Sequence, residues 1–133
     1  MSLKFYKCSV CGQVVQITSH GGNPLTCCDK TMRELVPFRH DELHDEKHVP
    51  IIKVKRNKVY VKVGIVPHPS TSEHYIEWIT LVTNKGVHTM HLKPGDEPKA
   101  CFILDCHERM SEVYAYCNIH SLWINTLDEE MPY

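Results

Sequence analysis

Beyond residue 48 the chain is organised by alternation. Val59, Val61 and Val63 are interleaved with Tyr60, Lys62 and Gly64, a period of two that predicts a β-strand. Arg56-Asn57-Lys58 forms a turn between that strand and another over 51–55. Residues 75–83 are apolar and β-branched, with Trp78 inside. Asn84-Lys85-Gly86 turns into a strand over 87–92, and Pro94-Gly95-Asp96 turns again before 100–105. Segments 113–117 and 122–126 close the series. About seven short strands with regular turn signals predict an immunoglobulin-like β-sandwich on Greek-key connections. The period-two signal is clear at 59–64 and weaker elsewhere. The pattern contains no long helix, internal repeat or low-complexity segment.

The first 36 residues have a different texture. They hold Cys8-Ser9-Val10-Cys11-Gly12, a short apolar run at Val14, Val15 and Ile17, a turn at Gly21-Gly22-Asn23-Pro24, and the adjacent pair Cys27-Cys28. So short a segment buries too little apolar surface to stay folded unaided, and a metal cross-link would supply the deficit. The stretch from Pro37 to Lys47 is charged and nearly free of core residues. The domain boundary is therefore placed there, giving domains 1–36 and 37–133.

Composition narrows the function. With 133 residues, 42% hydrophobic and 23% charged, the chain is globular rather than disordered. Its 15 basic and 16 acidic residues leave a formal charge of −1, which points to neither a nucleic-acid nor a membrane partner. The opening residues lack the apolar stretch of a signal peptide, so the expected compartment is the cytoplasm. Seven cysteines cannot all pair within one chain, and in a reducing compartment thiols at motif spacing are metal ligands more often than disulfides. Ten histidines point the same way.

Two donor sets stand out. Cys8, Cys11, Cys27 and Cys28 form a four-thiolate set suited to tetrahedral zinc or a single iron. A purely structural zinc fits it as well as a redox iron, and a vicinal disulfide at Cys27-Cys28 would be strained. The second set is Cys117-x-x-His120 with His48, His68 and His74, all at expected strand ends or loops. One sulfur and four nitrogens suit a redox-active iron better than zinc, which usually closes its shell at four ligands. Any one of these histidines alone would be taken as a surface or satisfied core residue. His20, His40, His44, His88, His91 and His107 are given that reading, and Cys101 and Cys106 are assigned to packing.

These motifs together resemble the desulfoferrodoxins, the two-iron superoxide reductases, over essentially the whole chain. Cys8-x-x-Cys11 with Cys27-Cys28 is similar to that family's desulforedoxin-type, rubredoxin-like centre. Glu46-Lys47-His48-Val49-Pro50 is similar to its glutamate-lysine-histidine loop. His68-Pro69 with His74-Tyr75-Ile76-Glu77-Trp78-Ile79, and Cys117-Asn118-Ile119-His120 with Trp123, are similar to its middle and terminal motifs. Two positions depart from the pattern. Ser70 stands where methionine often follows His68-Pro69, and Ser121 stands where glycine usually follows the last histidine.

The resemblance implies an all-β protein: a small desulforedoxin-like Fe(Cys)4 domain, then a sandwich carrying Fe(His)4Cys with its sixth position open to solvent. It implies two irons per chain, a homodimer, and one-electron reduction of superoxide to hydrogen peroxide. Electrons would come from an external donor, rubredoxin or a similar small carrier. It also implies that Lys47 steers the anionic substrate and that Glu46 gates the sixth position and displaces product. One rival is a non-enzymatic, zinc-stapled immunoglobulin-like binding module, which would be colourless. Another is a dismutase, which would turn over without a donor. A zinc hydrolase is a third.

Overall fold

The computed structural model describes residues 3–39 and 48–126; Glu46, Lys47, His40 and His44 lie outside the described residues. The chain divides into two compact units, Met1–Val36 and Pro37–Tyr133. Both are built from β-strands, and no helix occurs among the described residues.

In the first unit, β1 (Lys4–Lys7) is flanked by β2 (Val14–Ile17) and the short β5 (Arg33–Glu34). A hairpin of β3 (Thr26–Cys27) and β4 (Lys30–Thr31) carries the cysteine pair. Its two-residue loop, Cys28-Asp29, has positive φ at both positions (53° and 60°), the combination a type I′ turn requires. That geometry explains the adjacent cysteines: Cys27 ends a strand and Cys28 begins the turn. The buried apolar residues here are few, Phe5, Cys8, Met32 and Leu35, so this unit depends on its cross-link.

The second unit is an immunoglobulin-like sandwich of two antiparallel sheets. One holds β6 (Pro50–Lys55), β7 (Lys58–Val63) and β10 (Lys99–Ile103), in the order β10-β7-β6. The other holds β8 (Ile76–Thr83), β9 (Val87–His91), β11 (Met110–Cys117) and β12 (Ser121–Thr126), in the order β12-β11-β8-β9. The chain crosses between sheets after β7, after β9 and after β10, as in a Greek key. Val59, Val61 and Val63 of one sheet pack with Ile79, Leu81, Val113 and Ala115 of the other.

The sheets differ in what covers them. β7 alternates strictly, with buried valines and Lys58, Tyr60 and Lys62 on the other side. The central strands of the four-stranded sheet are buried on both faces: Val113 and Ala115 from one side of β11, and Tyr114 and Tyr116 from the other, are all at most 2% exposed, while the edge strand β9 is open to solvent. Such doubly buried strands are apolar runs rather than alternations.

One expectation fails. Cys101 and Cys106 are exposed rather than packed, because Ala100, Phe102 and Leu104 take the inward positions of that segment. The start of the connector contributes no core residue but is tied to the sandwich. Phe38 forms a parallel bridge with Trp123, and their rings lie 5.1 Å apart.

Candidate metal centres

The four cysteines of the first unit converge, their sulfurs all within 4.8 Å of one another. A tetrahedron with metal–sulfur bonds of about 2.3 Å has edges of about 3.8 Å. Cys11 and Cys27 are 3.7 Å apart, and Cys27 and Cys28 are 3.9 Å apart and unbonded. The knuckle after Cys8 is closed by Gly12, whose N–H donates to the Cys8 carbonyl (3.0 Å) at a φ of +81°. Within it the amides of Val10 and Cys11 donate to Cys8 Sγ at 3.4 and 3.5 Å. These two amides, Cys11's first, lower the Cys8 thiol to about 6. The crowding of sulfurs around Cys27, Cys8's first and then Cys11's, drives its thiol up to about 12. Four thiolates cannot coexist there without a cation, and a bound metal ion removes that penalty.

The second cluster lies where loops emerge from one end of the sandwich. His48 stands two residues before β6, His68 and His74 lie between β7 and β8, Cys117 ends β11, and His120 sits in the β11–β12 hairpin. Donor atoms of His48, His74, Cys117 and His120 lie within 4.8 Å of one another. His68 completes the set. Neighbouring ring centroids follow one another in a circuit: His48–His68 4.7 Å, His68–His74 4.7 Å, His74–His120 5.1 Å and His120–His48 4.6 Å. The His48–His74 diagonal is 6.1 Å. Four imidazoles therefore stand at the corners of a quadrilateral, with the buried Cys117 as the fifth donor.

Several details suit these groups to ligation. The Nε2 atoms of His48, His68 and His74 are all buried. His68 Nδ1 lies 2.8 Å from the Pro69 carbonyl, which can only accept, so Nδ1 carries the proton and Nε2 keeps its lone pair. That Nε2 has no hydrogen-bond partner among the described residues, a costly state for a buried nitrogen unless an ion occupies the centre. Burial first, then the neighbouring imidazoles, push His68 down to about 4 against the opposing bond to Pro69, so the ring is neutral at ordinary pH. His120 approaches through Nδ1, 3.9 Å from Cys117 Sγ, and its amide donates to that sulfur at 3.3 Å.

The frame holding these ligands includes residues that spacing alone did not single out. Asn118 joins the terminal hairpin to the loop of His74: its Oδ1 accepts from the Tyr75 amide (3.0 Å), its Nδ2 donates to the Glu73 carbonyl (3.0 Å), and its own amide donates to the Tyr75 carbonyl (3.2 Å). Thr71 closes that loop on His74 through mutual backbone bonds of 3.0 and 3.2 Å. Ser70 also has a partner, since Gly95 donates to its Oγ at 2.9 Å. Ser121 has a φ of +69°, the conformation that favours glycine.

The chain is thus an all-β protein with a four-cysteine site in a small N-terminal unit and a four-histidine, one-cysteine site at one end of a sandwich. It belongs to the desulfoferrodoxin family: the desulfoferrodoxin N-terminal domain matches residues 2–35 and the desulfoferrodoxin domain matches residues 40–126. A desulfoferrodoxin homolog from Archaeoglobus fulgidus is 48% identical over 121 residues, covering 91% of this chain and 94% of the relative. The crystal structure of the superoxide reductase from Treponema pallidum superposes with a TM-score of 0.81 at 30% identity, covering 94% of this chain and 98% of that one. A superoxide reductase of the one-iron kind from Giardia intestinalis gives a TM-score of 0.54 at 36% identity, covering 65% of this chain and 99% of its own.

Proposed function

We propose that this protein is a superoxide reductase carrying two irons. Cys8, Cys11, Cys27 and Cys28 hold one; His48, His68, His74, His120 and Cys117 hold the other. The observation that carries the reading is the circuit of four imidazoles around one buried thiol. Five donors exceed what zinc usually takes, and nitrogen with thiolate suits iron. Iron held by these five residues would supply one electron to superoxide, which with two protons becomes hydrogen peroxide.

The chain's residues prepare that step. The Cys117 thiolate is held by the N–H of His120, which fixes its direction. The Pro69 carbonyl fixes the tautomer of His68. His120 is exposed, so this side of the centre is open to a small anion and to water as a proton source. We assign Lys47 to steering superoxide and Glu46 to displacing product. Lys47→Ala should slow encounter at low ionic strength and flatten its salt dependence.

Residues 1–36 form the Fe(Cys)4 domain and 37–133 the catalytic domain in this assignment. The one-iron Giardia relative, matched over nearly its whole length by 65% of this chain, supports a catalytic domain that does not need the first centre. Turnover requires an external one-electron donor, rubredoxin or a similar carrier, and we place the protein in the cytoplasm as a homodimer. No helix among the described residues is long and apolar enough to cross a membrane.

Aerobic purification with metal analysis and pulse radiolysis tests the reading. Two irons per chain, visible thiolate-to-iron absorption, and superoxide consumption that stops after one equivalent without a donor are expected. A colourless zinc protein would overturn it, as would sustained donor-free turnover. Cys11→Ser should lose the first iron while keeping superoxide reactivity at a fully loaded second centre.

A further inference from the structure

The near-zero net charge conceals a segregated surface. Between Pro50 and Val63 the chain carries Lys53, Lys55, Arg56, Lys58 and Lys62 and no carboxylate; β10 adds Lys99 and again no carboxylate. Strand register sets these residues on a grid. Lys55 pairs with Lys58, which pairs with Ile103. Lys53 pairs with Tyr60, which pairs with Cys101. Ile51 pairs with Lys62, which pairs with Lys99. Val59, Val61 and Val63 face the core, so the lysines of β7 and their partners occupy the opposite, outer face. Lys53, Lys55, Arg56, Lys58 and Lys99 are exposed.

Two features of this face are unfavourable for the isolated fold. Lys55 opposite Lys58 is a like-charge pair directly across an antiparallel ladder, which destabilises a sheet, whereas Lys99 at the other end of the face is ion-paired with Glu97 at 3.0 Å. At the hairpin tip Arg56 has a φ of +57°, a conformation long side chains rarely adopt. The tip residues and Tyr60 line a shallow basic cleft of ≈ 360 Å³. Local cost concentrated on one surface is a sign of a constraint outside the fold.

We propose that the outer face of the β10-β7-β6 sheet docks an acidic electron-carrier protein that re-reduces the ferric centre. This rests on the reductase reading, which demands such a partner: one electron passes from reduced carrier to ferric centre, with no bond made or broken. Three strands about 4.8 Å apart, with outward residues repeating every ~6.7 Å, make a flat cationic field. Its spacings are shorter than the ~10 Å screening length at 0.1 M salt, so an acidic protein meets it as one charge. Weak, fast, salt-sensitive association is what a redox encounter needs. The Lys62 end of the face leads to the metal, and the Lys55–Lys58 tip is its far end. The Lys62 row is next to Val63, whose carbonyl accepts from the His68 amide at 3.3 Å, and Gly64 donates to Val49, beside His48, at 2.8 Å.

The test uses the full, iron-loaded protein and a reduced rubredoxin of acidic surface, mixed by stopped flow with the ferric enzyme at 20 and 300 mM salt. Wild type should oxidise the carrier faster at low salt. Lys58→Glu should raise thermal stability slightly by relieving its repulsion with Lys55. Lys53→Glu/Lys58→Glu should slow low-salt carrier oxidation about tenfold and flatten its salt dependence, leaving the pulse-radiolysis rate with superoxide unchanged. Unaltered carrier kinetics in the double variant would overturn the docking assignment alone. A wild type inert toward superoxide would overturn the reductase reading instead. Retention of wild type on a single-stranded oligonucleotide at 150 mM salt, lost in the double variant with carrier kinetics intact, would assign the face to nucleic acid and overturn the proposal.

Discussion

The indole of Trp123 is stacked on the imidazole of His48, with ring centroids 5.0 Å apart and planes inclined by 19°. Its Nε1 donates to the His120 carbonyl at 3.0 Å. One buried side chain thus braces two imidazoles that approach the centre from distant parts of the sequence. Rigid support of this kind sets ligand directions as much as the ligands do.

Trp123→Phe should keep an aromatic face against His48 but lose the bond to His120, about 0.5–1.5 kcal/mol. Trp123→Ala should cost about 3–5 kcal/mol through the cavity it leaves. Thermal melts of metal-free protein measure these costs. Iron release to a chelator should quicken in Trp123→Phe beyond what the lost stability accounts for; an unchanged release rate would remove the bracing role.

Asn118 is a positioning residue in the same sense. Asn118→Ala removes both side-chain bonds to the segment around His74, and Asn118→Asp keeps the acceptor for Tyr75 but sets a carboxylate against the Glu73 carbonyl. Both should weaken iron binding about tenfold and shift the thiolate-to-iron band, with Asp the worse of the two. Chelator competition and visible spectra provide the readouts. A lowered melting temperature with an unmoved band and unchanged affinity would reduce Asn118 to a loop staple.

The contrast between β7 and β11 shows what alternation can reveal. β7 has one solvent face, so its valines alternate with polar residues and the strand is legible. β8 and β11 are buried on both faces, and their apolar runs give type and approximate place but no facing. The donor sets were legible because cysteine and histidine are scarce and their spacing is local within each motif. The Asn118 clamp was not, because its partners lie 43 and 45 residues away and an asparagine in a loop has many possible roles. The sequence marks His88 as a surface residue, yet it is half-buried on Glu108. The basic face is invisible in the composition because summing charge along the chain averages away what register collects on one surface.

Ser121 offers a test of the departure from the family pattern. A left-handed conformation costs a non-glycine residue about 1–2 kcal/mol, while glycine's greater freedom in the unfolded chain returns about 0.5–1 kcal/mol. Ser121→Gly should therefore stabilise the protein by about 0.5–1 kcal/mol. Denaturant midpoints of the metal-free protein check this. A loss of stability would mean that the serine side chain makes contacts that outweigh the backbone strain.

Glu108 anchors the end of the sandwich away from the metal. It is buried, with 5% of its side chain exposed, and accepts from Thr83 Oγ1 (2.5 Å), the Asp105 amide (2.8 Å) and His88 Nε2 (2.9 Å). Those bonds, Thr83's first, hold its carboxyl down at about 2 against an ordinary 4.5. The folded protein thus binds this proton less readily than the unfolded chain. Its stabilising contribution is full above about pH 4.5 and is lost as pH falls through 2. Glu108→Gln keeps the shape and removes the charge. The gap in melting temperature between wild type and Glu108→Gln should be constant above pH 5 and shrink steadily from pH 4.5 toward 2. A gap independent of pH over that window would show that the carboxylate charge contributes nothing to holding the loop.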